Sequence, residues 1–438
     1  MFDKIKEAIR RIESLSENKR LKVISHFDTD GVTSAAIFSR ALERCGKKFS
    51  LEIVKGLDEE FVKKLSDEEV LIFLDLASNS LDYLKEKKTE VFIFDHHEVV
   101  QEIPDNVFIV NPFLEKCEII SSAAICYLFA KSLSMENSNL ANLAVIGMVG
   151  DLYEKNIGKV FDEIIKDSET KVKKGLLIYP STRPLNLVLE YSSNPFIPGV
   201  TGSREGVTSL LRDAGFGVNG ERYKALYELN EEEMMHLITA VMLRGSGKGD
   251  QDSIVGNLFL VKFLNKLEDA RELSALINAC SRMGRAWVAL GFCLGNSAFK
   301  KEAEKIYIDY KQSLISALKY VSDEEKMEGK NYMIVHGRDK VKDTIIGTVA
   351  SILSHSPLYP EGHVIIALSY NEDKVKVSAR VVGRSGRNVR EVLHRAIVSF
   401  GGEVGGHKNA AGCLISREKE EIFIEELKKV LEIELVKV

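Results

Sequence analysis

The stretch LKVISHFDTDGVTSAAIFSR, residues 21–40, decides the fold. LKVIS (21–25) is short, mostly apolar and rich in branched residues, the pattern of a strand buried on both faces. His26, Asp28 and Asp30 follow at alternate positions. Alternate side chains of an extended segment share a face, so the three can point together. Gly31 permits a sharp turn. Residues 33–45, with Ile37, Phe38, Ala41 and Leu42 at helical spacing, then predict a helix.

The next hundred residues repeat that alternation. LEIV (51–54), VLIFLD (70–75) and VFIFD (91–95) are further buried strands separated by helical stretches. Strand–helix alternation predicts an α/β domain with a doubly wound parallel sheet. Three of the strands end in residues that bind metals: His26-Phe-Asp28-Thr-Asp30, then Asp75, then Asp95-His96-His97. In an open parallel sheet ligands bind at the carboxyl ends of the strands, so these groups converge on one crevice. Asp151 closes an apolar helical stretch, NLAVIGMVG, whose glycines permit a turn. A single Asp after a strand is usually a cap. Four such elements in order instead indicate a metal centre. Carboxylates and imidazoles without thiolates suit manganese or magnesium better than structural zinc. Two ions sharing a carboxylate would neutralise a phosphoryl group and activate water, which points to phosphate-ester hydrolysis.

Outward from this domain the pattern changes. Residues 153–298 read as mostly helical, broken at Asn194-Pro195 and Pro198-Gly199, with GSGKGDQD (245–252) as a loop. Ala303, Tyr307, Tyr310, Leu314, Ala317 and Val321 recur every three or four residues and predict one helix over 301–321. Strands return at NYMIVHG (331–337), HVIIALSY (363–370) and KVKVSARV (374–381), the last two joined through Asn371-Glu372-Asp373 as a hairpin. Helices at 343–354, 388–399 and 418–430 complete a smaller α/β domain. The expected organisation is a catalytic domain over 1–155, a mostly helical middle over 156–300, a linking helix over 301–325 and a C-terminal domain over 326–438.

Composition sets bounds. Of 438 residues 45% are apolar and 29% charged, and the length predicts more than one core. No stretch approaches the ~20 apolar residues that span a bilayer. MFDKIKEAIRRIESL places Phe2, Ile5, Ile9 and Ile12 on one face of a helix containing acids, unlike a signal peptide, and predicts a cytoplasmic protein without membrane partners. The six cysteines lack a CxxC pair and read as small buried residues. A net charge of -5 argues against a basic coat for nucleic acid. Residues 374–408 nevertheless hold eight Lys or Arg against two acids. Arg384, Arg387 and Arg390 there either track phosphates or solvate a helix face. Arg282 and Arg285, three apart, are expected on one helical face, with Trp287 in the core.

HFDTDG, the strand-end Asp75, the triplet Asp95-His96-His97 and GMVGD ending at Asp151 resemble the four motifs of the DHH phosphoesterases. FGGEVGGHKNAAG resembles the glycine–histidine motif of the domain associated with them in RecJ-type nucleases and oligoribonucleases, with Val404 where a third glycine often stands. Length and helical middle look most like archaeal RecJ homologues. The resemblance implies one metal on His26, Asp28 and Asp75, and a second on Asp30, Asp75, His96 and Asp151, with Asp75 bridging. It implies that Asp95 orients the histidines and that His97 faces the scissile phosphate. Arg380, Gly405, Gly406 and His407 would bind substrate, through a guanidinium, open backbone N–H groups and an imidazole.

The activity so implied is a manganese-dependent exonuclease, with magnesium as second choice, on single-stranded DNA or RNA, releasing mononucleotides in replication or repair, where a protein partner is possible. Two readings compete: a hydrolase of dinucleotides or short oligonucleotides, and a RecJ-like replication scaffold with a weak or inactive site.

Overall fold

The protein is described as a computed structural model covering all residues except 156, 193–194, 196, 217–221, 245–253, 357, 384, 400, 402–403 and 433–438. The expected loop at 245–252, Asn194, Arg384 and Glu403 therefore lie outside the described residues. The chain divides into two compact units, Met1–Glu304 and Lys305–Val438.

The first unit opens with α1 (Phe2–Ser14), which buries Ile5, Ala8, Ile9 and Ile12. Phe2 is 49% exposed and leaves the face expected of it. There follow β1 (Leu21–His26), α2 (Thr29–Arg44), β2 (Phe49–Val54), α3 (Glu59–Lys64), β3 (Val70–Leu74), β4 (Val91–Phe94) and β5 (Val107–Val110). The five strands form one parallel sheet in the order β2-β1-β3-β4-β5. The order reverses between β1 and β3, and at such a switch point neighbouring connections leave to opposite faces and open a crevice. On one face Ile24, Phe73, Ile93 and Ile109 pack with Val62 of α3. On the other, Phe38 of α2 stacks on Phe129 of α4 (Ser122–Leu133) with ring centres 4.7 Å apart, and Phe94 closes the trio at 5.0 and 5.2 Å. α5 (Ala141–Gly150) is buried along most of its length.

The middle of the chain holds α6 (Lys159–Asp167), β6 (Lys171–Leu176), α7 (Leu185–Glu190), α8 (Arg204–Asp213), α9 (Glu231–Arg244), β7 (Val255–Phe263), β8 (Lys266–Asp269), α10 (Ala270–Arg282) and α11 (Ala286–Cys293). It is mostly helical, as expected, but β6, β7 and β8 form an antiparallel sheet that the sequence reading lacked. β6 reads KVKKGL, too lysine-rich to signal a strand by itself. Its pairing with β7 supplies what its composition does not. Leu176, Val188, Leu210, Leu237 and Leu258 belong to the core formed there. Arg282 ends α10 and Arg285 caps α11, with Gly284 at φ 75° between them, so the two do not share one helix. Trp287 is 51% exposed rather than core, under the Arg285 guanidinium at 4.9 Å.

α12 (Ser297–Asp323) carries the boundary between the units. The second unit contains β9 (Met327–Gly329), β10 (Tyr332–His336), α13 (Asp343–Ser354), β11 (Val364–Asn371), β12 (Lys374–Val381), α14 (Val389–Ile397), β13 (Val404–His407), β14 (Ala410–Ser416) and α15 (Glu420–Glu432). Its six-stranded sheet runs β13-β14-β12-β11-β10-β9, with only the β10–β11 pair parallel. Asn371 pairs with Lys374, so the β11–β12 hairpin turns on two residues, Glu372 and Asp373, with Glu372 at φ 54°. Among the described residues no helix is long and apolar enough to cross a membrane. All six cysteines are free; Cys45 is exposed, Cys117 is half-buried and the other four are buried.

Candidate metal centre

The sequence loads the ends of β1, β3 and β4, and the fold brings those ends together at the switch point. Asp28 caps α2: its Oδ1 accepts from the Gly31 N–H at 3.0 Å. Capping leaves Oδ2 unspent, 3.0 Å from His26 Nδ1. Capping therefore does not exclude the ligand role that the sequence left as its alternative, since the second oxygen faces His26. Asp75 leaves β3 at φ 61°, a left-handed conformation that Asp tolerates better than most residues. Its Oδ2 lies 3.4 Å from His26 Nδ1 and its Oδ1 3.4 Å from His96 Nε2. His96 Nε2 also lies 3.2 Å from Asp151 Oδ2 and 3.8 Å from Asp30 Oδ2.

Three groups of ligand atoms lie close enough to hold a cation: His26 with Asp28 and Asp75, Asp30 with His96 and Asp151, and Asp75 with Asp95, His96 and His97. Asp75 belongs to the first and third and reaches the second through its contact with His96. The other candidates stand close by. Asp95 Oδ1 accepts from His97 Nδ1 at 2.7 Å and from the His96 N–H at 2.8 Å, and Oδ2 accepts from the Ser78 N–H at 3.1 Å. Asp95 orients the ring of His97, but only the backbone of His96.

Several contributors carried no sequence signal. The N-terminus of α4 grips two carboxylates. Ser122 N–H and Ala123 N–H donate to Asp30 at 2.7 and 2.9 Å, and Ser122 Oγ donates to Asp75 Oδ1 at 2.9 Å. A helix start offers unpaired N–H groups and a favourable dipole, so it suits anions. Thr29 is tied to α10, its N–H donating to Asn278 Oδ1 at 3.1 Å and its hydroxyl to the Ser274 carbonyl at 3.0 Å. Tyr153 places its hydroxyl 2.9 Å from His96 Nδ1. Glycines allow close approach rather than turns. A Cβ on Gly31 would lie 2.2 Å from the His26 carbonyl oxygen, and one on Gly147, inside α5, 2.8 Å from Asp30 Oδ1. The turn expected from the α5 glycines is therefore corrected to helix packing.

The electrostatics are those of carboxylates and imidazoles crowded together out of water. Burial raises Asp30, and the charges of Asp75 and Asp151 push it further, well above the usual carboxylate range. Burial likewise raises Asp151. Burial opposes charge on Asp75 too, yet His26 and His96 hold it well below that range. Burial lowers both histidines, but Asp28 and Asp75 carry His26, and Asp151 and Asp75 carry His96, well above the usual imidazole range. His26 Nδ1 is buried and makes no hydrogen bond of good geometry, although two carboxylate oxygens flank it. Four aspartates and two histidines without thiolates form the donor set of the first two groups. Four negative charges match two divalent cations, and oxygen and imidazole donors suit hard or borderline ions. The residues present fit divalent metal. A cavity of about 700 Å³ at the other end of α2, lined by Arg40, Arg44 and Asn142 among others, shares no residue with the cluster.

In the second unit Arg380 and His407 both pair with Ala410, from opposite sides of β14, so their side chains share a face of the sheet. The Arg380 guanidinium donates from Nε to Ser351 Oγ at 2.9 Å and from Nη1 to the Ala379 carbonyl at 2.9 Å. Gly405, Gly406 and His407 are exposed on β13, an edge strand rather than a loop. Gly406 sits at φ 109°, where a Cβ would lie 2.4 Å from the Ala410 carbonyl oxygen. Val404, in the place of a third glycine, packs against the unit's core.

Comparison with known proteins agrees with this fold. Residues 20–148 match the N-terminal domain of the DHH family, 178–258 the DHH-CID domain and 329–433 the DHHA1 domain. An uncharacterized protein of Methanocaldococcus jannaschii is 26% identical over 457 residues, 98% of this chain and 99% of that one. The single-stranded-DNA-specific exonuclease RecJ of Bacillus subtilis is 27% identical over 165 residues, 34% of this chain and 21% of that protein. The crystal structure of Thermus thermophilus RecJ in complex with Mn2+ superposes with a TM-score of 0.61 at 19% identity, covering 98% of this chain and 55% of that one. The chain thus spans about half of the Thermus protein. Three domain matches in chain order, over a fold shared with RecJ, make this protein a RecJ-like member of the DHH phosphoesterase family.

Proposed function

We propose that the protein is a two-metal phosphodiesterase acting as an exonuclease on single-stranded DNA or RNA and releasing mononucleotides. The observation that carries this reading is Asp75, whose two oxygens each serve a different group of candidate ligands. On this reading His26, Asp28 and Asp75 hold one ion, and Asp30, Asp75, His96 and Asp151 hold the other. Such a pair neutralises phosphoryl charge and lowers the pKa of water. Manganese is favoured, with magnesium second, from the donor set and from the Mn2+ complex of the Thermus relative.

The chain's own groups then have distinct tasks. Asp95 fixes the ring of His97, whose side chain remains 38% exposed and can meet a phosphate. Ser351 fixes the Arg380 guanidinium for a terminal phosphate. Gly405 and Gly406 leave backbone open beside His407 for the end of the strand. Replication or repair is the setting we favour, with a protein partner, and the B. subtilis relative's name supports DNA as substrate.

A time course on DNA and RNA strands labelled at either end, in Mn2+ and in Mg2+, tests this reading, with a dinucleotide assayed in parallel. Mononucleotides should appear in Mn2+. Asp75→Ala should reduce the rate more than about a hundredfold, the upper loss for a residue that only orients a ligand. Preference for the dinucleotide, or near-full activity of Asp75→Ala, would overturn it.

A further inference from the structure

A histidine that ligates metal through one ring nitrogen needs the other protonated and bonded, because that bond fixes both tautomer and ring orientation. Among the described residues, the carboxylate expected to do this for His96 is engaged elsewhere. Asp95 spends Oδ1 on His97 Nδ1 and the His96 N–H, and Oδ2 on Ser78. The partner of His96 Nδ1 is instead the Tyr153 hydroxyl at 2.9 Å, with the rings 5.9 Å apart and edge-on.

The local chain is arranged for this contact. Asp151 and Tyr153 approach opposite nitrogens of one imidazole, Asp151 at Nε2 and Tyr153 at Nδ1. Between them Leu152 stands at φ 62° and is 59% exposed, a costly place for a leucine that re-aims the chain. Glu154 is buried and paired with Arg271 of α10, which pins the turn. A phenol is also the acceptor that adds no charge. A further carboxylate would add to a cluster where burial already resists ionisation.

We propose that Tyr153 is a positioning residue for metal binding: it accepts the Nδ1 proton of His96 and so presents Nε2, unprotonated, to the cation. The inference rests on the two-metal reading above.

Calorimetric titration of the full chain with Mn2+ tests it, comparing wild type, Tyr153→Phe and Tyr191→Phe. Tyr153→Phe keeps the ring and removes only the hydroxyl. It should bind Mn2+ roughly ten- to a hundredfold more weakly, with an unchanged melting midpoint in the metal-free state. Its lost turnover should return as Mn2+ is raised, with KM for the strand unchanged. Tyr191→Phe, which removes a hydroxyl from a tyrosine that is 70% exposed, should bind like wild type. Equal Mn2+ affinity in Tyr153→Phe, a lost turnover that Mn2+ does not restore, or a metal-free melting loss that accounts for the effect would overturn the role of Tyr153 alone. Failure of the wild type to bind Mn2+ would overturn the two-metal reading and this inference with it.

Discussion

Asp75 leaves its strand in a left-handed conformation, and Ala77 two residues later stands at φ 86°. Such positions cost on the order of 1–3 kcal/mol each and persist where the surroundings hold them. Here the Asp75 N–H still donates to the Phe94 carbonyl at 2.9 Å, so the sheet itself fixes the kink. What the kink gives is a carboxylate facing two histidines. Those histidines are raised well above the usual imidazole range, because burial, which lowers them, is outweighed by the carboxylates beside them. The raised direction favours the protonated form of both rings. A cation needs the bare nitrogens, so its uptake must release protons and weaken as pH falls. Mn2+ titrations at pH 7 in buffers of different ionisation enthalpy should show net proton release. Heats independent of the buffer would contradict the assignment.

At the scale of elements, the site is clamped by helices. α4 presents its first N–H groups to Asp30, and α5 lies so close that a methyl on Gly147 would stand 2.5 Å from Ala123 Cβ and 2.8 Å from Asp30 Oδ1. Gly147→Ala should therefore destabilise the fold by about 1–3 kcal/mol, as overpacking does, and impair hydrolysis by displacing Asp30. Gly56→Ala, where a Cβ meets nothing within 4 Å, should be near neutral in the same urea denaturation. These elements also show what was legible beforehand. The loaded strand ends were visible because a parallel sheet must be apolar and its function must sit at its edge. Ser122, Asn278 and Tyr153 were not, since a serine, an asparagine and a tyrosine on helices or turns acquire meaning only through partners 47, 249 and 57 residues away. β6 was missed for a related reason: its partner β7 begins 79 residues after β6 ends, at Val255 against Leu176.

For the molecule as a whole, the proposed function assigns two chemistries to the two units. All groups of candidate metal ligands among the described residues lie within Met1–Glu304, whereas Arg380 and the glycine–histidine strand lie within Lys305–Val438. Binding to the folded state alone adds about 2.7 kcal/mol of stability at a free ligand concentration a hundred times Kd. Scanning calorimetry with Mn2+ or with a chelator should therefore move the transition of the first unit and leave that of the second in place. Equal shifts in both would contradict that division of labour. β13 has a further bearing on how copies of this molecule behave at high concentration. It is the outermost strand of its sheet, four residues long, with exposed backbone. An edge of that kind invites a neighbour's strand and, through it, fibrous assembly. Gly405 and Gly406 have no side chains with which to reward such stacking, and the φ of 109° at Gly406 departs from the flat geometry a docking strand requires. The glycines to which the proposed function gives the anionic end of a strand thus also make β13 a poor template for a second copy.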